Sequence, residues 1–201
     1  MVFIRGHCCR YIWSGSRKAD AIPIVRMTPQ GETMQGGHYY GFHRVTHSDL
    51  PLIEQWLKTP EVEQWWGDPK HELALIMEDM DNPDMVQLIG MLDGHPIAYI
   101  QHFEVHAWPQ KHLQDLPQGA RAVDCFIGVP SLIGKGHGAK LLAMLAKQLN
   151  AQGVRVLCID PDPENQRARN AYVNAGFVEH GLIETPEGPA VLMFYESPEE
   201  D

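Results

Sequence analysis

The chain has 201 residues, of which 44% are hydrophobic and 21% charged, and its formal net charge is −10 at pH 7. This balance predicts a soluble globular protein, and no segment approaches the roughly 20 apolar residues of a membrane span. The negative charge disfavours nucleic acid as a partner, because phosphate backbones require clustered Lys and Arg. It favours a small cationic molecule, with monomer and homodimer both left open.

The N-terminal segment differs from the rest of the chain. Residues 1–37 contain several arginines but no continuous apolar run before a small-residue cleavage site. We therefore predict an irregular extension over residues 1–37 and a single domain over residues 38–201. The four cysteines lack paired metal-type spacing, and two of them lie in apolar runs, which favours a reducing, cytoplasmic location: Cys8, Cys9, Cys125 and Cys158.

The first part of the domain predicts a strand, two helices and a hairpin. Apolar residues recur at helical spacing from Leu50 to Leu57, and Pro60 is expected to end that helix before a loop carrying residues 65–69. Asp93-Gly94 favours a tight turn because both residues tolerate positive φ. The predicted elements are a strand at 40–45, helices at 48–58 and 71–80, and strands at 85–92 and 96–105.

The second part predicts alternating strands and helices. A loop over residues 106–119 leads to a short apolar run that closes at Pro130 and predicts a central strand. Gly153 and Gly176 are placed to end two helices. The predicted elements are strands at 122–129 and 154–159, helices at 135–151 and 164–175, and strands at 177–183 and 190–195.

Three alternate glycines stand between a predicted strand and a predicted helix, in the sequence IGKGHGA of residues 133–139. Glycine lets the main chain approach an anion closely, and the unpaired amides of a helix's first turn favour negative charge. Lys135 adds a positive charge. The spacing matches neither the P-loop nor the dinucleotide fingerprint, so this segment alone fits a plain turn as well as an anion site.

Two further motifs follow the glycine loop. Residues 160–168 read DPDPENQRA, with Asn165 and Ala168 in an NxxA pattern, and residues 171–177 read AYVNAGF, with Tyr172 four positions before Gly176. This order of elements and motifs resembles the GCN5-related N-acetyltransferase (GNAT) superfamily over about residues 40–195. The resemblance implies an α/β (α+β) fold with a central, mostly antiparallel mixed sheet, flanked by helices and splayed between its two central strands.

Within that superfamily the chain is similar to the aminoglycoside 6′-N-acetyltransferases. The resemblance implies acetyl-CoA as cosubstrate and the 6′-amine of an aminoglycoside as acceptor, hence antibiotic resistance by modification. It rests on four segments: residues 62–67 (VEQWWG), 96–101 (PIAYIQ), 123–124 (VD) and 185–191 (TPEGPAV).

The resemblance also implies which residues hold the cofactor. The pantetheine arm would pair with free main-chain groups of the splayed strand, and the glycine loop would receive the pyrophosphate. Asn165 matches a residue that contacts the pantetheine arm, although it could equally cap a helix. Ile133 departs from the superfamily, where Gln or Arg is usual. The implied cofactor residues are Phe126, Ile127, Val129, Ile133, Gly134, Lys135, Gly136, His137, Gly138, Ala139 and Asn165.

Acetyl transfer to an amine requires a proton acceptor for the amine and a proton donor for the departing thiolate. Asp124, at the start of the predicted central strand, is the candidate for the first task, although a structural pair with an arginine such as Arg121 is the alternative. Tyr172 matches the superfamily's general acid toward the thiolate. An ordinary buried tyrosine with a satisfied hydroxyl competes with that interpretation.

The acceptor is expected opposite the cofactor, in a mouth lined by carboxylates and aromatic rings, which suit a polycation that carries sugar faces. Each of these residues also has a structural interpretation, as core tryptophan or solvated acid. The candidates are Glu63, Trp65, Trp66, Asp68, Glu104, Trp108 and Asp115.

A metal site is not predicted. The histidines His102, His106, His112 and His137 show no HxH or HExxH spacing. Two functional alternatives remain beside aminoglycoside acetylation. One is acylation of another amine, such as hydroxylysine in siderophore synthesis or a polyamine, and the other is a non-catalytic protein that binds CoA or a cationic ligand.

Overall fold

The computed structural model describes residues 33–35, 37–108 and 110–196. These residues form one eight-stranded sheet in the order β1-β2-β3-β4-β5-β6-β8-β7. The strands are β1 Thr33–Gln35, β2 His38–Arg44, β3 Met85–Leu92, β4 His95–Glu104, β5 Arg121–Ile127, β6 Leu157–Ile159, β7 Phe177–Thr185 and β8 Gly188–Tyr195. The helices are α1 Leu50–Leu57, α2 Pro60–Trp66, α3 Pro69–Asp79, α4 His137–Ala151 and α5 Gln166–Ala175.

The predicted N-terminal extension lies mostly outside the described residues. Its residues 33–35 form β1, which pairs with β2 in antiparallel register from Thr33 opposite Tyr40 to Gln35 opposite His38. The sheet therefore begins inside the segment that the sequence assigns to the extension.

The sheet is antiparallel except between β5 and β6. These two strands run parallel because α4 crosses over between them. Their ladder consists of Arg121 opposite Leu157 and Ala122 opposite Cys158, after which β5 continues to Ile127 beside β4 alone. The sheet is thus splayed between its central strands, as predicted, and it is mixed but mostly antiparallel.

Side-chain alternation along the strands divides the core between the two faces of the sheet. One face buries α4 and α5, with Leu141, Leu142 and Leu145 of α4 all under 4% exposed. The other face buries α1 to α3, with Trp56 and Trp66 among its largest side chains. Burial of each leucine contributes roughly 1.5–3 kcal/mol, so the α4 face forms a firm base for the central strands.

Pro60 begins a further helix, α2, whereas the sequence predicts that it ends a helix and that a loop follows. Thr59 adopts the extended conformation of a helix N-cap, Pro60 is the first helical residue, and α2 then runs to Trp66. Proline is favoured at this first position because its missing N–H would have no helical partner there. Gly67, at φ 95°, then ends α2.

Three other boundaries move inward from their predicted positions. The helix α4 begins at His137, because Gly136 at φ 84° lies outside the helical region. Asn165 caps α5 through its side chain, so that helix starts at Gln166. The strand β6 covers only Leu157–Ile159.

Candidate active site

A cleft of about 560 Å³ lies where β5 and β6 diverge. Its walls come from α2, β5, the glycine loop, the start of α4, the end of β6 and α5. Because the β5–β6 ladder stops at Ala122, the β5 main chain beyond that residue faces the cleft, and none of the described strands pairs with it on that side. An extended ligand chain can pair with such an edge.

The glycine loop forms one end of the cleft. Gly134 and Gly136 have φ values of 76° and 84°, a region that disfavours side chains, and nothing lies within 4 Å of a Cβ built on either residue. Both line the cleft, together with Ile133, Gly138 and Ala139. Successive main-chain amides in such a turn, followed by the first turn of a helix, are an arrangement that can bind an anion.

The two basic residues of this loop, Lys135 and His137, do not line the cleft. Lys135 is exposed and outside the cleft wall. The His137 ring is buried, its Nδ1 lies 2.7 Å from the Tyr40 hydroxyl, and burial lowers the pKa of the imidazole. His137 therefore fastens the start of α4 to β2, and Arg167 of α5 is the basic residue that lines the cleft.

The middle of the cleft follows the free edge of β5. Phe126 and Ile127 line it, whereas Val129 lies after the strand and packs against the α4 core. Asn165 both lines the cleft and caps α5, because its Oδ1 accepts a hydrogen bond of 3.1 Å from the Ala168 amide. Asn165 can therefore cap α5 and contact a ligand in the cleft at the same time.

Asp124 is held in the cleft by a chain of polar side chains. The Gln101 amide donates a hydrogen bond of 3.0 Å to Asp124 Oδ2, and the Tyr99 hydroxyl donates one of 2.9 Å to Gln101 Oε1. Tyr99 and Gln101 are buried on β4, whereas Asp124 is half-buried. Buried partners of this kind orient a carboxylate toward the cleft.

Arg121, the alternative partner that the sequence offers for Asp124, contacts a different group. Its Nε donates a hydrogen bond of 2.8 Å to His102 Nδ1. Burial, followed by the positive charge of Arg121, lowers the pKa of His102 to about 3, so this histidine stays neutral and accepts that bond. The pair joins the end of β4 to the start of β5 and lies outside the cleft wall.

Tyr172 approaches the cleft from α5. Its side chain is 8% exposed and hydrogen-bonds to the Cys125 thiol. Burial, then the neighbouring thiol and carboxylates, raises the pKa of Tyr172 well above its ordinary value. Burial likewise raises the pKa of Cys125 to about 12. Both groups therefore keep their protons at neutral pH, and the phenol is suited to donate one.

Asp124 and Tyr172 enter the cleft from opposite faces of the sheet. Along β5, Phe126 packs with Trp66 on the α1–α3 face, whereas Cys125 packs with Tyr172 on the α4–α5 face. Asp124 has the same strand parity as Phe126. A group in the gap between β5 and β6 thus meets a carboxylate on one side and a phenol on the other.

The acceptor candidates divide into two groups. Trp65 and Trp66 line the cleft, and Trp66 packs edge-to-face on Phe126 with 4.7 Å between ring centroids. The other candidates lie outside the cleft wall: Glu63 and Asp115 are exposed, Asp68 caps α3, Glu104 accepts from the Gly119 amide, and Trp108 packs on Phe103.

Three cleft carboxylates are missing from the sequence-based candidates, namely Glu61, Asp160 and Asp162. Asp162 is buried and accepts a hydrogen bond of 2.7 Å from the Glu164 amide. Glu61 lies one helical turn before Trp65 on α2, a relation that the sequence shows only if Pro60 is taken as a helix start. Asp160 directly follows β6, and the end of a central strand is the signal that would have found it.

The model of the acetyltransferase (GNAT) domain family matches residues 45–185, which is more than half of the chain. This protein belongs to the GNAT acetyltransferase family. The aminoglycoside N(6′)-acetyltransferase type 1 of Klebsiella pneumoniae is 32% identical over 161 residues, covering 74% of this chain and 79% of that relative.

Solved structures agree with this assignment. The structure of AAC(6′)-Ib with ribostamycin and coenzyme A superposes with a TM-score of 0.69 at 31% identity, covering 78% of this GNAT chain and 92% of that one. The same enzyme with coenzyme A and kanamycin gives 0.68 at 30% identity, over 77% and 93%. The predictions of a GNAT fold and of an N-acetyltransferase are therefore confirmed.

Proposed function

We propose that this enzyme transfers an acetyl group from acetyl-CoA to the 6′-amine of an aminoglycoside. The observation that carries the proposal is the cleft at the sheet splay, which both Asp124 and Tyr172 line. Support for the acceptor comes from a relative named as an aminoglycoside N(6′)-acetyltransferase and from neighbours bound to ribostamycin or kanamycin.

The residues of the cleft fit acetyl-CoA. The space beside Gly134 and Gly136 and the amides that begin α4 suit a pyrophosphate, and Arg167 adds a cation to the same cleft. The free edge of β5 suits the amides of a pantetheine chain. When bound, acetyl-CoA supplies an activated thioester whose carbonyl carbon is open to attack by an amine.

Proton transfer is assigned to the two facing side chains. Asp124, oriented by Gln101, accepts a proton from the substrate ammonium and leaves a neutral, nucleophilic nitrogen. Tyr172 holds its proton because its pKa is raised by burial, and it donates that proton to the departing sulfur. Asp124 thus serves the acceptor and Tyr172 serves the leaving group.

The cleft thiol is not assigned as a nucleophile. Only a thiolate attacks a thioester effectively, and burial raises the pKa of Cys125 to about 12. We therefore expect direct transfer in a ternary complex, with no acetyl-enzyme detectable by intact mass spectrometry after incubation with acetyl-CoA alone. Cys125→Ser should turn over within about threefold of wild type, since a hydroxyl also bonds to Tyr172. An acetylated Cys125 would contradict direct transfer.

The acceptor side suits a polycation. Asp124, Asp160 and Glu61 line one cleft together with Trp65, and the whole chain carries a net charge of −10. Carboxylates attract ammonium groups, while the indole face packs against a sugar ring. Within the part of the chain that the structure describes, no helix is long and apolar enough to cross a bilayer. Use of acetyl-CoA favours the cytoplasm as the site of action.

Thiol release from acetyl-CoA tests the proposal. Kanamycin, ribostamycin, hydroxylysine and spermidine are supplied one at a time, and the products are located by mass spectrometry and NMR. We expect release with the two aminoglycosides and acetylation at the 6′-nitrogen. Release with hydroxylysine alone would assign the enzyme to siderophore-type acylation, and no release with any amine would favour a CoA-binding protein without turnover.

A further inference from the structure

A histidine outside the cleft wall touches one of the cleft carboxylates. His112 Nε2 lies 3.3 Å from Asp160 Oδ2, and the two side chains are 8% and 22% exposed. Asp160 lines the cleft, whereas His112 lies behind it in the loop of residues 105–120 that joins β4 to β5. The contact therefore links this loop to the site described above.

The loop that carries His112 is anchored on both sides of that residue. The Val105 amide donates to the Ala120 carbonyl at 2.9 Å, and His106 Nε2 lies 2.9 Å from the Leu116 carbonyl. Leu113, next to His112, is 1% exposed in a core shared with Phe103. The main chain thus holds the imidazole against the end of β6.

Asp160 is equally constrained in its backbone. It follows Ile159, which pairs with Met193 of β8, and the Val191 amide donates to the Pro161 carbonyl at 2.9 Å. Only the side-chain torsions remain to decide where the carboxylate points. An imidazole 3.3 Å from Oδ2 limits those torsions and leaves Oδ1 as the freer oxygen.

The contact with Asp160 can supply a hydrogen bond that the buried His112 ring lacks. Among the described residues, neither of its nitrogens makes a hydrogen bond of good geometry, and both are buried. Burial of an unpaired polar nitrogen is unfavourable, and active-site contacts commonly shorten when a ligand binds. A small rotation of Asp160 toward His112 would complete this bond.

We propose that His112 is a positioning residue for the acceptor, because it fixes the Asp160 carboxylate at the place where a cationic group of the acceptor binds. The proposal rests on the proposed function, since it requires a cationic acceptor. His112 then affects the KM of the acceptor and takes no direct part in proton transfer.

Steady-state kinetics of His112→Leu, His112→Gln and Asp160→Asn test this inference, with kanamycin varied at saturating acetyl-CoA. His106→Gln is the matched control, because His106 belongs to the same loop but contacts a main-chain carbonyl. We expect His112→Leu to raise the kanamycin KM about tenfold, with kcat and the acetyl-CoA KM within about twofold of wild type. His112→Gln, which keeps an N–H donor, should recover much of the loss.

The double variant separates positioning from general loop damage. In the Asp160→Asn background, His112→Leu should change the kanamycin KM by less than about twofold, because the effect passes through the carboxylate. Three results would overturn the inference. His112→Leu could raise the kanamycin KM tenfold in the Asp160→Asn background as well, it could raise that KM no more than His106→Gln does, or it could lower kcat alone. Thermal unfolding checks each fold, and His112→Gln carries the test if His112→Leu unfolds.

The wild-type enzyme distinguishes failure of this inference from failure of the proposed function. If the wild type acetylates a cationic amine other than an aminoglycoside, the same variants are measured with that amine, because the proposed role of His112 is to position the Asp160 carboxylate for any cationic acceptor. A wild type that acetylates no amine overturns both. A wild type active on kanamycin with unaffected His112 variants overturns the His112 inference alone.

Discussion

The two ends of the cleft are built in different ways. The cofactor end comes from consecutive parts of the chain, since the glycine loop, α4, β6 and α5 follow one another between residues 133 and 175. The acceptor end combines α2, the polar pair on β4, the β4–β5 loop and the residue after β6, which lie far apart in sequence. A local motif can therefore describe the first end, whereas only long-range contacts define the second.

This difference separates proposed cofactor binding from proposed substrate choice. At the cofactor end, the proposed contacts are made mainly by main-chain amides and a free strand edge, so the glycines of positive φ and Arg167 are the positions where residue identity matters most. At the acceptor end, the proposed contacts are made by side chains that tertiary contacts hold in place. Substitutions at the two ends should accordingly affect different kinetic constants.

The largest effect is expected at the proton acceptor between the two ends. Asp124→Asn keeps the shape and the contact with Gln101 but removes the base, so kcat/KM should fall about 10³-fold. The dissociation constant of acetyl-CoA, measured by calorimetry, should stay near the wild-type value. Asp81→Asn, at an exposed turn, serves as the control. Unchanged turnover of Asp124→Asn would remove this residue from the mechanism.

A smaller loss of kcat is expected at the proton donor. Tyr172→Phe should lower kcat about 10²-fold with little change in either KM, because the phenol acts on the leaving group only during transfer. Since burial raises the pKa of Tyr172 well above its ordinary value, the wild-type kcat should not decline as pH rises toward 10. A profile of kcat against pH tests this expectation. A decline centred below pH 9 that is lost in Tyr172→Phe would show that the phenol deprotonates too early for this role.

At the cofactor end, a matched pair of glycines isolates the anion site. Gly136→Ala and Gly153→Ala both place a side chain at positive φ, with φ values of 84° and 93°, and neither Cβ meets another atom within 4 Å. Each should lose about 1–2 kcal/mol of stability in denaturant unfolding. Only Gly136→Ala should raise the acetyl-CoA KM, by about tenfold, because an amide that faces the cleft moves. Equal KM values for the two variants would argue against the anion site.

At the acceptor end, two glutamates of α2 give the smallest and most discriminating comparison. Glu61 lines the cleft, whereas Glu63 is exposed outside its wall. Glu61→Gln should raise the kanamycin KM about fivefold, the size expected when one screened charge contact of about 1 kcal/mol is lost. Glu63→Gln should leave it unchanged. The opposite result would restore the sequence-based choice of Glu63 over the geometric choice of Glu61.

The start of α2 shows how a single helix boundary affects the site. The sequence places Pro60 at the end of a helix and residues 65–69 in a loop, and this hides the one-turn relation of Glu61 to Trp65. Proline both ends and begins helices, and the choice depends on whether Thr59 can adopt an extended conformation. The packing of Trp66 on Phe126 and Tyr99 stabilises the observed arrangement, and these contacts join residues more than 30 positions apart.

Apart from β1 and α2, the sequence by itself determined the order of the elements. It also determined the glycine loop, the cap at Asn165, and the candidates Asp124 and Tyr172, because each depends on neighbours in the chain or on a motif of fixed spacing. Only the tertiary structure decided that Asp124 and Tyr172 line the same cleft beside the gap between β5 and β6, and that His137 contacts Tyr40. It alone brought Asp160 beside His112. The reason is that side-chain direction depends on strand pairing and loop docking, which involve residues far apart in sequence.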